Sequence, residues 1–121
     1  MRLRFIAMAL LAAGLPYAVH AHAQLSSATP PAGSTLPAAP SEVTITFSRA
    51  LEARFSVIEV QDASGTRVDA GDVHVAPDSN NRMAVGLRLL GPGTYKVNWH
   101  ATSIDTHSTD GSFSFTVKPP E

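Results

Sequence analysis

Ser41-Glu42-Val43-Thr44-Ile45-Thr46-Phe47-Ser48 alternates without a fault. Val43, Ile45 and Phe47 fall on one face, and Thr44, Thr46 and Ser48 on the other. Successive side chains of an extended chain point to opposite sides, so this pattern specifies a strand with one buried and one wet face. The β-branched and aromatic residues suit a half-buried pleated surface. An amphipathic helix would need apolar residues three and four apart, and no segment carries such a stripe over a useful length.

The same reading extends outward from this stretch. Downstream, Arg54 to Gln61 (RFSVIEVQ) is a second β-branched run, and Asp62-Ala63-Ser64-Gly65 is a hairpin turn into Thr66-Arg67-Val68. Asp72 to Val75 suggests a short strand, and Pro77 to Asn81 a loop. Arg82 to Leu90 alternates again, with Met83, Val85, Leu87 and Leu89 expected inward. Gly91-Pro92-Gly93 is a tight turn. Thr94 to Ala101 then puts Tyr95, Val97 and Trp99 on one face, and Ser112 to Val117 does the same with Phe113, Phe115 and Val117. Upstream, Pro37 to Pro40 and Thr29-Pro30-Pro31-Ala32-Gly33 punctuate the chain, and His22 to Ser27 is a short extended run. Prolines forbid a helix there and suit an edge strand or turn. The spacing of runs and turns predicts an all-β fold: an antiparallel Greek-key β-sandwich, immunoglobulin-like in size, of about seven strands.

The first 21 residues do not belong to that pattern. Arg2 and Arg4 precede an apolar run from Phe5 to Leu15, broken by Pro16, with Val19-His20-Ala21 placing small residues at a cleavage site. This is the layout of a secretory signal peptide, and the run is too short to span a bilayer. Cleavage after Ala21 leaves residues 22–121 as one domain and makes His22 the new N-terminus. Cleavage after Ala23 also satisfies the small-residue rule. The n-region and short apolar run suit export to a bacterial periplasm. Without Arg2 and Arg4 the chain holds 7 basic and 10 acidic groups, a balance that argues against nucleic acid and anionic membrane surfaces as partners. No second apolar segment is present for insertion after processing. There is no cysteine, which excludes disulfides, thiolate metal sites and a cysteine nucleophile.

Chemistry is concentrated near the end of the chain. In Thr102-Ser103-Ile104-Asp105-Thr106-His107-Ser108-Thr109-Asp110-Gly111 a carboxylate and an imidazole lie two residues apart, a spacing that in extended chain puts both on one face. The plain alternative is that Asp105 caps a turn and His107 is an exposed loop residue. A terminal His22 changes the balance. Its α-amine and imidazole Nδ1 close a six-membered chelate ring on a metal ion, His107 adds a third nitrogen and Asp105 an oxygen. Divalent copper prefers such a tetragonal set of N and O donors. His100, next to the inward Trp99, faces away from the core, either as a half-exposed strand residue or as a supporting group. His74 with Met83 is a poor trap for monovalent copper, and Met83 reads as core. No nucleophile elbow and no phosphate-cradling glycine loop is present.

His22 to Pro30 (HAQLSSATP), Val43 to Ser48 (VTITFS), Gly93 to Trp99 (GTYKVNW) and Ser103 to His107 (SIDTH), leading to Gly111 to Val117 (GSFSFTV), together resemble the CopC family of periplasmic copper-resistance proteins. The match spans the chain after residue 21, in order. The resemblance implies a cupredoxin-like β-sandwich, not an enzyme, that binds one Cu(II) through the N-terminal histidine and the late Asp and His; on this chain these are His22, Asp105 and His107. It also implies a CopD-like inner-membrane copper transport protein as partner. Three positions depart from the family. Arg49 stands where some relatives carry an acidic residue, His100 stands where many have Arg, and the 72–82 region lacks the methionines of relatives that hold Cu(I). A terminal-histidine copper brace also serves lytic monooxygenases. The short chain, its few aromatic residues and the anionic donor Asp105 argue against that oxidative alternative.

Overall fold

The alternating stretch lies at the centre of one of two sheets. The computed structural model describes residues 23–120; the segment read as a signal peptide and His22 lie outside them. Eight strands run in the order β1 Leu25–Thr29, β2 Thr35–Leu36, β3 Glu42–Phe47, β4 Val57–Gln61, β5 His74–Ala76, β6 Ser79–Gly86, β7 Gly93–Thr102 and β8 Ser108–Val117. They form two four-stranded sheets, β1-β3-β6-β5 and β2-β8-β7-β4. Neighbours that are distant in sequence, such as β3 with β6 and β4 with β7, make the crossovers of a Greek-key sandwich. Among the described residues no helix is long and apolar enough to cross a membrane.

The core lies where the alternation puts it. Val43, Ile45 and Phe47 are at most 1% exposed, and Met83, Val85, Tyr95, Val97, Trp99, Phe115 and Val117 are buried with them. Trp99 meets Phe47 edge-on, with ring centroids 5.1 Å apart, which locks the two sheets together near the β7–β8 end.

The sandwich is as expected. Eight strands among the described residues agree with the expected number of about seven; one pairing is parallel, Thr35–Leu36 alongside Thr116–Val117, and three local expectations need correction. The Arg54–Gln61 run is a strand only from Val57, because Ala53–Phe55 forms a 3-10 turn. The 77–81 loop shrinks to a two-residue turn, since β6 already starts at Ser79. Leu89 is 99% exposed and Leu90 is buried in its place. The ladder stops at Gly86, and beyond the end of a strand the two-residue period no longer dictates which side faces in.

Gly111 sits opposite Trp99 in the β7–β8 ladder. A Cβ there would come within 2.7 Å of Trp99 Cε2, closer than packed carbons approach. Gly111→Ala must displace the indole, and overpacking of this kind costs about 1–3 kcal/mol. A denaturant titration followed by tryptophan emission should show a lower midpoint with an unchanged slope.

Candidate metal centre

β7 and β8 are one long hairpin, and its connection, residues 103–107, carries the candidate ligands. Thr102 and Ser108 are the last paired residues. Beyond them Ser103 N–H donates to the His107 carbonyl at 2.9 Å, and Thr106 N–H donates to the Ser103 carbonyl at 2.8 Å. Ile104 N–H donates to the Ala50 carbonyl at 3.1 Å, which ties the loop to the segment after β3. Thr106 has φ 73°, a left-handed conformation that a β-branched residue seldom adopts. Extended alternation therefore does not bring Asp105 and His107 together, as the spacing alone suggested. A tight turn does, held by backbone bonds on both sides of the strained residue.

The turn places His107 Nδ1 and Asp105 Oδ1 3.5 Å apart, with the two side chains 50% and 45% exposed. Two donors each about 2.0–2.2 Å from one ion can span that separation. Ser103, only 1% exposed, turns its hydroxyl onto Asp105 Oδ1 and lies 3.2 Å from the His107 carbonyl oxygen. That hydroxyl is the chief cause of an Asp105 pKa below the ordinary carboxylate value; burial opposes it, and the nearby His107 ring adds to the lowering. The carboxylate is thus kept ionised and ready to bind a cation.

Asp105, Ser103 and Ile104 form one wall of a shallow groove of about 310 Å³, and Ser48, Arg49 and Ala50 form the other. The start of the described chain is pinned to that second wall. Gln24 N–H donates to Ser48 Oγ at 2.9 Å, Ser48 N–H donates to the Gln24 carbonyl at 2.8 Å, and Ala23 is fully buried. His22 itself lies outside the described residues. Among the described residues no group of three or more His, Cys, Asp or Glu side chains is arranged to hold a metal ion. Asp105 and His107 alone are an incomplete site.

The other two histidines among the described residues are engaged elsewhere. His100 Nδ1 lies 2.5 Å from Asp110 Oδ1 across the β7–β8 pair, on the outer face of the sheet, as alternation around Trp99 predicts. His74 Nδ1 lies 3.0 Å from the Asp72 carbonyl oxygen on exposed edge strand β5. Met83 is fully buried, so the two do not form a soft site. Ser103 is the residue that sequence reasoning left without a role. Its signal was local: Ser and Asp side chains near one another in a turn commonly bond within it.

Comparison with known proteins finds relatives of the same fold. The model of the CopC domain family matches residues 25–118. The crystal structure of CopC from Methylosinus trichosporium OB3b superposes with a TM-score of 0.77 at 29% identity, covering 83% of this chain and 97% of that one. PcoC, described as a methionine-rich copper resistance protein from Escherichia coli, gives 0.69 at 36% identity over 81% of this chain and all of that one. The copper transport protein CutJ of Bacillus subtilis is 33% identical over 85% of this chain, which spans 19% of that longer protein.

Proposed function

The chain belongs to the CopC family, a family of copper-handling proteins rather than enzymes, and from that premise we propose that it is a periplasmic Cu(II)-binding protein that sequesters or delivers the ion. Removal of residues 1–21 would free the amine of His22. Its amine and imidazole nitrogens, His107 and Asp105 would then hold one Cu(II) per chain in the tetragonal geometry the ion prefers. The observation that carries this reading is the meeting of two walls. Ser103, Ile104 and Asp105 form one side of a groove, with His107 3.5 Å from Asp105, and Gln24 is bonded to Ser48 on the other side. Consecutive Cα atoms are about 3.8 Å apart, so His22 is tethered two residues from Gln24.

In this reading the work of the protein is pre-organisation. The hairpin turn sets Asp105 and His107 before the ion arrives, and the bonds of Gln24 to Ser48 anchor the segment that follows His22. A delivery partner of the CopD type, in the inner membrane, is supported by CutJ, in which the matched region is one part of a longer copper transport protein. A Cu(I) site is not part of the proposal, since Met83 faces the core.

Intact mass of the exported protein, with and without copper, tests the reading. The expected result is a chain beginning at His22 that gains one copper. A chain that begins elsewhere, or that gains none, overturns it. Binding should also weaken as pH falls. The amine and the imidazoles must be free of protons to bind the ion, and a terminal amine ordinarily holds its proton up to about pH 7.7–8.0. Asp105 is not expected to set this dependence, because its carboxylate is held ionised to lower pH than usual. Titrations at several pH values, with buffer competition accounted for, check the sign.

A further inference from the structure

We propose that Ser103 is a positioning residue for copper: its buried hydroxyl holds the Asp105 carboxylate in the orientation from which it meets the ion. The inference rests on the Cu(II)-binding reading above. Both candidate ligand side chains of the turn are about half exposed, and an exposed carboxylate samples several rotamers that binding must freeze out. Ser103 supplies the restraint. It is 1% exposed, is itself fixed by a bridge to Leu51, and places its hydroxyl on Asp105 Oδ1.

The same residue also governs His107. Its backbone N–H donates to the His107 carbonyl at 2.9 Å, its own carbonyl accepts from Thr106, and its hydroxyl lies 3.2 Å from the His107 carbonyl oxygen. One buried residue thus touches the side chain of one ligand and the backbone of the other. An ionised carboxylate has about four lone-pair directions, so a hydroxyl on Oδ1 leaves the remainder for the ion. Partners of this kind, outside the ligands themselves, typically contribute about 10–100-fold to metal affinity.

The test uses the chain beginning at His22 and Cu(II) competition titrations. Ser103→Ala should weaken binding by about 10–100-fold when Asp105 is present. In an Asp105→Ala background the same change should matter by no more than about twofold, because coupled residues are not additive and, with the carboxylate gone, the hydroxyl has nothing left to position. Ser103→Thr and Ser103→Val have the same bulk and differ in the hydroxyl; Thr should bind more tightly than Val, which guards against a folding loss in either shape. Copper EPR should differ between Ser103→Val and wild type if the carboxylate has turned. An Ala variant that binds like wild type, an equal loss in both Asp105 backgrounds, or equal binding by Thr and Val overturns the role of the hydroxyl. Absence of binding by the unmodified chain instead overturns the underlying copper site, and this inference falls with it.

Discussion

Acetylating the α-amine of His22 should lower Cu(II) affinity by more than about 100-fold, beyond the range seen when only an outer partner of a metal ligand is lost. The reason is covalent. Acetylation turns the α-amine into an amide nitrogen and supplies no new amine beside it, so that nitrogen keeps its proton near neutral pH and does not donate to the ion. The six-membered chelate ring is lost with it, while the imidazoles of His22 and His107 and the carboxylate of Asp105 remain in the sequence. Competition titrations of two chains, both beginning at His22 and one of them acetylated, isolate this effect. Their fold and composition are otherwise the same, so equal affinity would mean that the terminal amine is not a ligand. A chain beginning at Gln24, as cleavage after Ala23 would leave it, lacks both nitrogens of His22 and should bind no better than the blocked chain.

Asp69→Ala should produce the largest loss of stability, about 3 kcal/mol. The Asp69 side chain is fully buried and is saturated with donors. Val60 N–H approaches at 2.9 Å, Gly71 N–H at 3.1 Å, Arg67 Nε at 3.1 Å and Arg67 Nη2 at 2.7 Å. Truncation leaves the Val60 amide without its acceptor inside the protein. Arg67 is half exposed and can return to water, which keeps the loss near the low end of that for breaking a buried ion pair. A domain of this size should lose about 4–8 °C in Tm per kcal/mol, a drop read by thermal melting.

The same carboxylate contributes to acid sensitivity. Burial pushes its pKa up, but the Arg67 hydrogen bonds, the Val60 amide, the Arg67 charge and the Gly71 amide together pull harder, and the net shift is downward. A folded-state pKa below the unfolded one gives stability that is complete above the unfolded value of about 3.9. That stability is lost as pH falls through the folded value. Wild type should therefore lose stability in acid more steeply than Asp69→Ala.

The fold was legible wherever a run was long and one-sided. Val43, Ile45 and Phe47, and later Tyr95, Val97 and Trp99, announce their buried face through strict alternation, and each of them is buried. Legibility failed where a strand is too short to show a period, as with Thr35–Leu36 beside β8, and where a ladder ends before its apolar run does, as with Leu89. Asp69 stood out in no pattern. Its importance comes from the Arg67 and Val60 contacts made after the chain has turned back at Asp62–Gly65, which local periodicity does not report.

The candidate site divides in the same way. Residue chemistry alone picked out Asp105 and His107, because a carboxylate and an imidazole so close together are readable in one dimension. Their geometry was not readable, since it depends on Thr106 adopting φ 73° where a glycine would have signalled the turn. Ser103 was hidden for a related reason: a serine in a Ser/Thr-rich connection gives no sign of being buried until Leu51 and Ala50 are seen to cover the loop.

The most direct test of the copper site is the EPR spectrum of the chain beginning at His22 loaded with one equivalent of Cu(II). The proposed ligand set predicts a tetragonal signal with three nitrogen donors and one oxygen, falling to two nitrogens in His107→Ala. A spectrum unchanged by His107→Ala, or one identical to that of a short peptide carrying the same His22 terminus, would contradict it.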